Sequence, residues 1–456
     1  MIRRLVPVAC AAVALIAGAT VACSGKPTGA AAASGVDPAA AIQPACDANN
    51  GGLRLPPGFC ASIFADQLGH ARHLVVANNG DVYVNTMSDQ HNKFSNAPGG
   101  YLVALRDADR DGHAEIVKRF GTVHQEGKPG GGTGLGVHDG RLYAEVHGTI
   151  VRYGAAADLV PGGEPEVILR GLPVDGDHGM HPFAIASDGT LFVNSGSGSN
   201  ACQEKNRVRE SPGKKPCPEL PTRAGIWRYQ ATTPGQSFSP NERFVAGARN
   251  TVGLAVHPTT GALFAAVHGR DQLSDNWPTR FNARQNNELP AEMLVRADQG
   301  DDFGWPYCYY DAGQGKYLLA PEYGGDGTTE GDCASRTRPE ATYPAHWAPE
   351  SVAFYTRSAF PAKYHGGAFI SFHGSWNRTP VQSGFLVAFV PFTGDRPAAN
   401  YEEFATGFAG PTPPADPKAA PHRPMGLAVG PDGALYVSDD VSGRIWRVVA
   451  SQSRTR

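Results

Sequence analysis

Short polar stretches rich in histidine and arginine lie at the borders of apolar segments along the sequence. They occupy residues 177–181, 249–250, 268–271, 372–378 and 421–424. A neutral imidazole can accept a proton near pH 7, and guanidinium groups bind carboxylates and other anions. If the fold brings these stretches together, their composition predicts a site that holds an anionic ligand or cofactor beside a general base.

A repeated pattern supplies the elements that would bring them together. Six segments contain an apolar stretch, a turn centred on glycine and a second apolar stretch, with the turn glycines at Gly80, Gly140, Gly189, Gly261, Gly366 and Gly433. An aromatic residue follows each glycine by three positions, at Tyr83, Tyr143, Phe192, Phe264, Phe369 and Tyr436. Agreement at all six positions indicates an internal repeat.

Each repeat predicts a two-stranded hairpin, because Asn-Gly and Asp-Gly turns supply the positive φ that hairpin turns require. The distances between successive turn glycines leave room for about four strands per unit, and such units must stack around an axis to bury both faces. We therefore predict an all-β fold, a six-bladed β-propeller with four-stranded antiparallel blades and long loop insertions, the longest at roughly 280–345. A β-sandwich or two smaller β domains are the alternatives. In a propeller, loops of one face surround the channel, so the polar stretches should converge there.

The composition agrees with many short strands joined by tight turns. Glycine (56 residues) and proline (37 residues) are abundant, and only 18% of the residues are charged, which is not typical of a helical protein. A formal net charge of −3 gives no reason to expect nucleic acid as a partner.

The first 45 residues are predicted to serve export. Arg3 and Arg4 precede an apolar run at 5–19, and the sequence TVAC ends at Cys23. This ending resembles a bacterial lipobox, which predicts a lipoprotein signal peptide at 1–22, lipidation of Cys23 and a flexible tether at 23–45, followed by the propeller at 46–450. We expect an exported chain that meets the membrane through its lipid anchor only, on the periplasmic or cell-surface side of the bacterial envelope. An ordinary signal peptide cleaved nearby is the alternative and also implies export.

Six cysteines remain once Cys10 and Cys23 of the leader are set aside, and they form three local couples 14, 15 and 25 residues apart. Nearest-neighbour pairing is predicted, which joins Cys46 to Cys60, Cys202 to Cys217 and Cys308 to Cys333. Disulfides agree with an oxidising compartment.

Three further motifs are weaker signals. Residues 196–201 fit the pattern GxGxxA and residues 130–136 are rich in glycine, but neither stretch leads into a helix, so neither predicts a nucleotide site. Asp107, Asp109 and Asp111 resemble the start of a calcium loop. Lys118 stands where an EF-hand has glutamate, which excludes an EF-hand and leaves open a surface calcium loop or an Asp-stabilised turn.

Longer stretches between Leu55 and Arg447 carry a resemblance to a known family. The most specific are ARNTVGLAVHP, HGRDQLSDNWP, DDFGWPYCYYD, HWAPESVAFYTRSAFP, FHGSWNR and RPMGLAVGPDGALYVSDD. Together they resemble the soluble sugar dehydrogenases that use pyrroloquinoline quinone (PQQ), most closely the L-sorbosone dehydrogenase branch. The resemblance implies an enzyme that uses PQQ and Ca²⁺ to oxidise a sugar or sugar aldehyde and passes electrons to an external acceptor, a cytochrome or a quinone.

The resemblance also implies residue roles. His178 would be the catalytic general base that takes the proton from the substrate hydroxyl as hydride leaves, with His181 as the fallback. Arg249 and Asn250 would hydrogen-bond the reactive side of the quinone, and Arg249 would also stabilise the developing oxyanion. Arg423 would bind a cofactor carboxylate.

The calcium and the remaining cofactor contacts follow in the same way. Backbone carbonyls of Gly269 and Arg270 would bind Ca²⁺, which prefers oxygen ligands. Either His373 or Arg378 would supply a further cofactor contact, and the resemblance does not decide between them.

Some positions bear on the substrate. His346 and Trp347 correspond to substrate-facing residues, with core packing as the alternative for Trp347. The chain departs from the family where Gln125 is the nearest substitute for a cofactor-contacting glutamine and where His268 replaces a common asparagine. These departures leave the sugar open.

Two other functions are compatible with a propeller. A calcium-dependent lactonase-like hydrolase would need a ring of acidic side chains on the axis, whereas the candidate residues are mostly basic. A noncatalytic carbohydrate- or partner-binding propeller would need neither quinone nor turnover. The dehydrogenase hypothesis requires His178, Arg249 and Arg423 to meet around one channel.

Overall fold

The computed structural model describes residues 46–87, 100–121, 131–155 and 158–451. The predicted signal peptide, the tether up to residue 45, Cys23 and Gln125 lie outside these ranges. In the described ranges, every helix is too short or too polar to span a lipid bilayer.

Strands dominate the described residues. In chain order they are β1 (Phe59–Ala65), β2 (Ala71–Val76), β3 (Val82–Thr86), β4 (Leu102–Arg106), β5 (Ile116–Phe120), β6 (Leu135–His138), β7 (Arg141–Val146), β8 (Thr149–Ala155), β9 (Glu166–Arg170), β10 (Phe183–Ile185), β11 (Thr190–Ser195), β12 (Gly225–Gln230), β13 (Gln236–Ser237), β14 (Arg243–Ala246), β15 (Thr251–Val256), β16 (Leu263–Val267), β17 (Glu292–Ala297), β18 (Cys308–Asp311), β19 (Lys316–Leu319), β20 (Ala341–Tyr343), β21 (Pro349–Phe354), β22 (Ala368–His373), β23 (Phe385–Val390), β24 (Phe392–Thr393), β25 (Arg396–Pro397), β26 (Glu402–Ala405), β27 (Pro424–Val429), β28 (Leu435–Asp439) and β29 (Ile445–Ala450).

Helices in the described ranges are short. The α-helices are α1 (Leu273–Asn276) and α2 (Ala283–Glu288), and the 3₁₀ turns are Asn50–Gly52, Pro240–Glu242, Pro321–Tyr323, Gly331–Ser335, Ala362–Tyr364 and Pro417–Ala419.

The strands form six four-stranded antiparallel blades, which confirms the predicted propeller. Blade one contains β2–β5, blade two β6–β9, blade three β10, β11, β12 and β14, blade four β15, β16, β17 and β20, blade five β21, β22, β23 and β26, and blade six β27, β28, β29 and β1. The short strand β13 adds to blade two in parallel with β9. Because β1 pairs with β29, the N-terminal strand completes the last blade and closes the ring.

The repeat residues explain why the blades form and stack. The six turn glycines have φ between 69° and 92°, a region that strongly favours glycine. The aromatic residue three positions later lies on the second strand of each blade and is at most 7% exposed. Hydrophobic clusters fill the six interfaces between neighbouring blades. Each blade thus buries its two faces against its neighbours, as the repeat pattern predicts.

The predicted insertion at 280–345 needs correction. This range contains β17 and β20, which are the third and fourth strands of blade four. The additional chain is divided in two, with α1 and α2 between β16 and β17, and the β18–β19 hairpin between β17 and β20. Because the additions alternate with β17 and β20 along the chain, the spacing between turn glycines alone could not show which residues belong to the blade and which to the insertions.

The three predicted disulfides are confirmed as Cys46–Cys60, Cys202–Cys217 and Cys308–Cys333. Loops of 14 to 25 residues closed in this way stabilise a fold by about 3 kcal/mol each on the chain-entropy estimate. The first disulfide holds the start of the described chain on β1, and the second closes the loop between β11 and β12.

The innermost strands β2, β6, β10, β15, β21 and β27 contact one another around the axis. The hairpin turns with the repeat glycines lie at one end of these strands. The polar stretches at 177–181, 249–250 and 421–424 directly precede β10, β15 and β27, so they lie together at the opposite end. The fold therefore collects them around one mouth of the channel.

Candidate active site

A cavity of about 430 Å³ opens at this end of the channel. Seven of the predicted site residues line it, namely His178, Arg249, Asn250, Gly269, His346, His373 and Arg423. The wall also contains residues for which no site role was predicted, namely Met180, Arg207, Val252, His268, Asp271, Glu292, Ala348, Glu350, Gly374 and Trp376. Side chains from blades three to six thus converge on one cavity.

The imidazole of His178 is held in one tautomer. Its Nδ1 lies 2.8 Å from the carbonyl oxygen of Ser197 and 3.0 Å from the Ser197 hydroxyl. That hydroxyl donates its own hydrogen to the Ser199 carbonyl, so both Ser197 atoms act as acceptors and Nδ1 carries the proton. The lone pair is then on Nε2, which has no hydrogen-bond partner among the described residues.

Electrostatics keep His178 neutral. Burial and the nearby charge of Arg249 hold the pKa of His178 well below its usual range. Gly196 lies against it, since a Cβ at residue 196 would approach the His178 Cβ to 2.6 Å. A neutral, fixed imidazole with a free Nε2 can accept a proton from a bound hydroxyl.

His181, the fallback base, is placed differently. Its Nδ1 lies 2.9 Å from the Asn194 carbonyl oxygen, and its Nε2 lies 2.9 Å from the Pro173 carbonyl oxygen. The side chain is fully buried and does not line the cavity. Both ring nitrogens are engaged by backbone, which favours His178 as the base.

Most N–H groups of the Arg249 guanidinium donate hydrogen bonds within the protein. It donates to the Asn200 carbonyl (3.1 Å), the Asn200 side-chain oxygen (3.1 Å), the Gly269 carbonyl (2.8 Å) and the Asp271 carboxylate (3.1 Å). A guanidinium has five N–H groups, so one remains for a ligand. The amide Nδ2 of Asn250 has no partner among the described residues and is also available.

Arg423 offers more free donors. Its Nε donates to the His373 carbonyl at 2.9 Å and its Nη2 donates to the Gly374 carbonyl. Nη1 has no partner within the described ranges, and Arg423 lines the cavity. Three of its five N–H groups, two on Nη1 and one on Nη2, therefore have no acceptor in the described ranges and are available for an anionic ligand.

Of the two alternatives, His373 ends β22 and Arg378 lies on the loop between β22 and β23 of blade five, and only His373 lines the cavity. Its Nε2 lies 2.8 Å from Asp440 Oδ1. Burial favours the neutral acid, but His373, His70 and Arg72 outweigh it and hold the pKa of Asp440 well below its usual range. The guanidinium of Arg378 instead donates to the backbone carbonyls of Asn287 and Ala345.

The two carbonyls predicted to bind Ca²⁺ differ in their surroundings. The Gly269 carbonyl accepts the hydrogen bond from Arg249, whereas the Arg270 carbonyl accepts none from the described residues. The side chain of Arg270 points to a different partner, the buried Glu322, at 2.6 Å. Backbone oxygens suit Ca²⁺, but a cation here would stand beside a guanidinium. Of the two residues, only Gly269 lines the cavity, so the described structure does not bring the whole predicted pair to its wall.

Three carboxylates, those of Asp271, Glu292 and Glu350, stand in the wall among seven histidine and arginine side chains. Asp271 accepts from Arg249 at 3.1 Å and from Arg207 at 3.3 Å. Glu292 accepts the Gly269 N–H at 2.9 Å. Glu350 has one buried oxygen, Oε2, without a hydrogen-bond partner among the described residues, and this oxygen lies 3.9 Å from Arg72 Nη2. Burial raises the pKa of both glutamates. Asp271 follows Arg270 in a stretch that the sequence singled out, whereas the two glutamates begin blade strands and carried no such signal.

The side chains of His346 and Trp347, the two residues predicted to face the substrate, point to opposite sides of the backbone. His346 lines the cavity, and its Nε2 lies 2.6 Å from the Asn286 carbonyl. Trp347 does not line it: the indole packs 5.5 Å from Phe372, between blades four and five, and its Nε1 donates to Ser383 at 3.0 Å. This placement differs from the predicted role of Trp347 and matches core packing, because the indole finds both its apolar contacts and its hydrogen-bond acceptor there.

The aspartate loop lies between β4 and β5, outside the cavity wall. Carboxylate oxygens of Asp107, Asp109, Asp111 and Glu115 lie within 4.8 Å of one another. Asp107 and Asp109 accept backbone N–H groups of the turn, as an Asp-stabilised turn requires.

Comparisons with known proteins agree with this architecture. Residues 53–451 match the family model described as TrAA12-like. An uncharacterized protein from Borreliella burgdorferi is 31% identical over 213 residues, which is 45% of this chain and 48% of that protein. A pyrroloquinoline quinone-dependent sugar dehydrogenase from Hypocrea jecorina is 25% identical over 228 residues, which is 46% of this chain and 49% of that protein. The chain spans about half the length of these curated relatives.

Solved structures share the fold over most of the chain. A Trichoderma reesei protein of carbohydrate-active enzyme family AA12, solved with calcium, has a TM-score of 0.68 at 20% identity, covering 88% of this chain and 97% of that chain. The holo form of the pyranose dehydrogenase PQQ domain from Coprinopsis cinerea has a TM-score of 0.66 at 19% identity, covering 89% of this chain and 98% of that chain.

Proposed function

The chain belongs to the TrAA12-like family of PQQ-dependent propeller proteins, and on that basis we propose that it is a dehydrogenase that oxidises a sugar or sugar aldehyde with PQQ. The observation that carries the proposal is the pairing, in one cavity, of a free imidazole nitrogen with free cationic donors. His178 offers Nε2, while Arg249 and Arg423 keep N–H groups for an anion. A tricarboxylate quinone needs that combination of groups.

The side chains of the cavity would have separate roles in cofactor binding and in proton removal. Arg423 and His373 bind a carboxylate of the cofactor, and Arg249 with Asn250 orients its reactive edge. When bound in this cavity, PQQ would supply the acceptor for the hydride that leaves the substrate carbon. His178 removes the hydroxyl proton at Nε2, and Ser197 keeps the ring from turning away.

We also propose a Ca²⁺ site beside the cofactor. The carbonyls of Gly269 and Arg270 would hold Ca²⁺, which neutralises cofactor carboxylates and polarises the quinone. The charge of those carboxylates offsets the repulsion between Ca²⁺ and Arg249. We therefore expect Ca²⁺ and PQQ to bind together, each weakly without the other.

The cellular setting is also proposed. The lipobox-like sequence that ends at Cys23 supports export and a lipid anchor at the cell envelope, and three disulfides suit an oxidising compartment. Electrons would leave to an external acceptor, a cytochrome or a quinone.

A lactonase-like hydrolase is less well supported. Although the wall contains three carboxylates, Asp271 is engaged by two arginines and Glu292 by a backbone N–H. In the described structure Glu350 alone among them has a buried oxygen with no hydrogen-bond donor, and that oxygen faces Arg72 at 3.9 Å. One such carboxylate does not make a ring of metal ligands.

Reconstitution tests the proposal. Purified protein is loaded with PQQ and Ca²⁺, and reduction of a redox dye is followed with a panel of aldoses and sugar aldehydes. Turnover that requires PQQ is the expected result. A protein that binds sugars but neither binds PQQ nor reduces dye would instead be a carbohydrate-binding propeller.

A further inference from the structure

One tryptophan stands apart from the other five of the sequence. Trp227, Trp277, Trp305, Trp347 and Trp446 are each at most 8% exposed, whereas Trp376 is 47% exposed. Trp376 lines the mouth of the cavity. An exposed indole in the wall of a cavity offers a ligand a large apolar face and an N–H donor.

The loop that carries Trp376 is held from both sides. On one side, the buried Ser375 accepts the Ser383 N–H at 2.9 Å and donates to Gln382 at 2.8 Å. On the other side, Asn377 donates to Asp271 at 3.1 Å. Because its two neighbours are fixed in this way, the backbone that carries the indole is held in place before any ligand arrives, which reduces the entropy lost on binding.

Polar groups stand next to the ring. The guanidinium carbon of Arg207 lies 5.8 Å from the centroid of the Trp376 ring. Arg207 is itself oriented by Asp177 at 2.9 Å and by Gln272 at 2.9 Å. The side chains of Arg207 and Asp177 remain 28% and 24% exposed, so both can still reach a ligand.

A sugar ring matches this combination. Its C–H faces are apolar and pack on an aromatic face, while its hydroxyl rim donates and accepts hydrogen bonds. We propose that Trp376, Arg207 and Asp177 form a carbohydrate subsite in which a hexopyranose ring stacks on the indole. This inference rests on the proposed function and deepens it: the stacking residue is Trp376, on the loop after β22, and not Trp347.

The subsite predicts a defined kinetic change. In protein loaded with PQQ and Ca²⁺, Trp376→Ala raises KM for the best sugar at least tenfold and changes kcat less than threefold, while Trp376→Phe keeps KM within about threefold. Val381→Ala is the matched control, since Val381 is an equally exposed apolar residue (47%) on the same loop. A KM for Trp376→Ala within twofold of the unmodified protein would overturn the subsite.

A second readout needs no turnover. Because five tryptophans are buried, acrylamide should quench mainly the fluorescence of Trp376 in cofactor-free protein. Addition of D-glucose or cellobiose should protect this fluorescence, and Trp376→Ala should abolish the effect. Protection by cellobiose alone would place a second ring of an oligosaccharide on the indole, and protection by both would place a single ring there. Protection without dye reduction would support the subsite and contradict the dehydrogenase, whereas turnover with no protection by either sugar and an unchanged KM in Trp376→Ala would contradict the subsite alone.

Discussion

The chemistry proposed for His178 depends on one neighbouring residue. Ser197 accepts the Nδ1 proton through its carbonyl at 2.8 Å, and this leaves the Nε2 lone pair toward the cavity. Sequence resemblance could select His178 but could not supply this reason, because Ser197 is brought to it by the exit of β11. The choice between His373 and Arg378 could not be predicted from the sequence either. His373 ends β22 and Arg378 lies five positions later on the following loop, and only backbone geometry decides which side chain reaches the cavity.

Replacing the proposed base should lower kcat but leave the binding of PQQ nearly unchanged. His178→Gln keeps the size of the side chain but cannot accept the proton, so we expect kcat to fall about 10²- to 10⁴-fold. Binding of PQQ should stay within about threefold. His365→Gln, at the opposite end of the channel, is the control and should keep full activity.

The dependence of kcat/KM on pH also tests whether His178 is the base. His178 is active when neutral, and burial with the Arg249 charge lowers its pKa. In unmodified protein kcat/KM should therefore rise with pH through an acidic limb below the ordinary histidine range and be flat near pH 7. His178→Gln should lack this limb. A limb that persists unchanged in the variant would remove His178 from the role of base.

At the scale of elements, the loop between β11 and β12 organises two sides of the cavity. Asn200 on this loop accepts from Arg249 through both its carbonyl and its side chain, and its side-chain oxygen also accepts the Asp271 N–H at 2.8 Å. The Cys202–Cys217 disulfide begins two residues later. The sequence predicted the disulfide and the hairpins from local spacing, but a contact between residues 200 and 271 depends on insertions whose paths spacing does not fix.

Asn200→Ala should therefore disturb the site without unfolding it. Loss of the side-chain acceptor frees Arg249 and the Asp271 backbone, and we expect kcat/KM to fall about 10- to 100-fold, as a misplaced catalytic group does. Asn79→Ala, at the first hairpin turn of blade one, is the matched control. Equal activities of the two variants would show that Asn200 does not position Arg249.

At the scale of the whole molecule, the ring is closed by β1, the first strand of the chain paired with the last. Phe59 on β1 packs edge-on against Phe360, Tyr364 and Phe404 of blade five, with ring centroids 4.8 to 5.3 Å apart. The six-fold repeat predicted the number of blades, since each unit carries its own turn and aromatic residue. It could not predict which strand completes the sixth blade, because β1 lies outside the repeat.

Phe59→Ala should weaken the closure of the whole ring. Removal of a buried aromatic side chain leaves a cavity, and we expect the free energy of unfolding to fall by about 3–5 kcal/mol in denaturant titrations. Val117→Ala, at an exposed position of blade one (50% exposed), should change it by less than about 0.5 kcal/mol. A small effect of Phe59→Ala would mean that β1 contributes little to closure.

Equilibrium binding of PQQ in the presence of Ca²⁺ tests the central claim most directly. One quinone per chain should bind, and Arg423→Ala should raise the Kd at least tenfold because the three free N–H donors of this guanidinium are lost from the cavity. Arg378→Ala, whose guanidinium donates to backbone carbonyls away from the cavity, should leave the Kd within about threefold. No binding by the unmodified protein, or equal loss in both variants, would contradict the account.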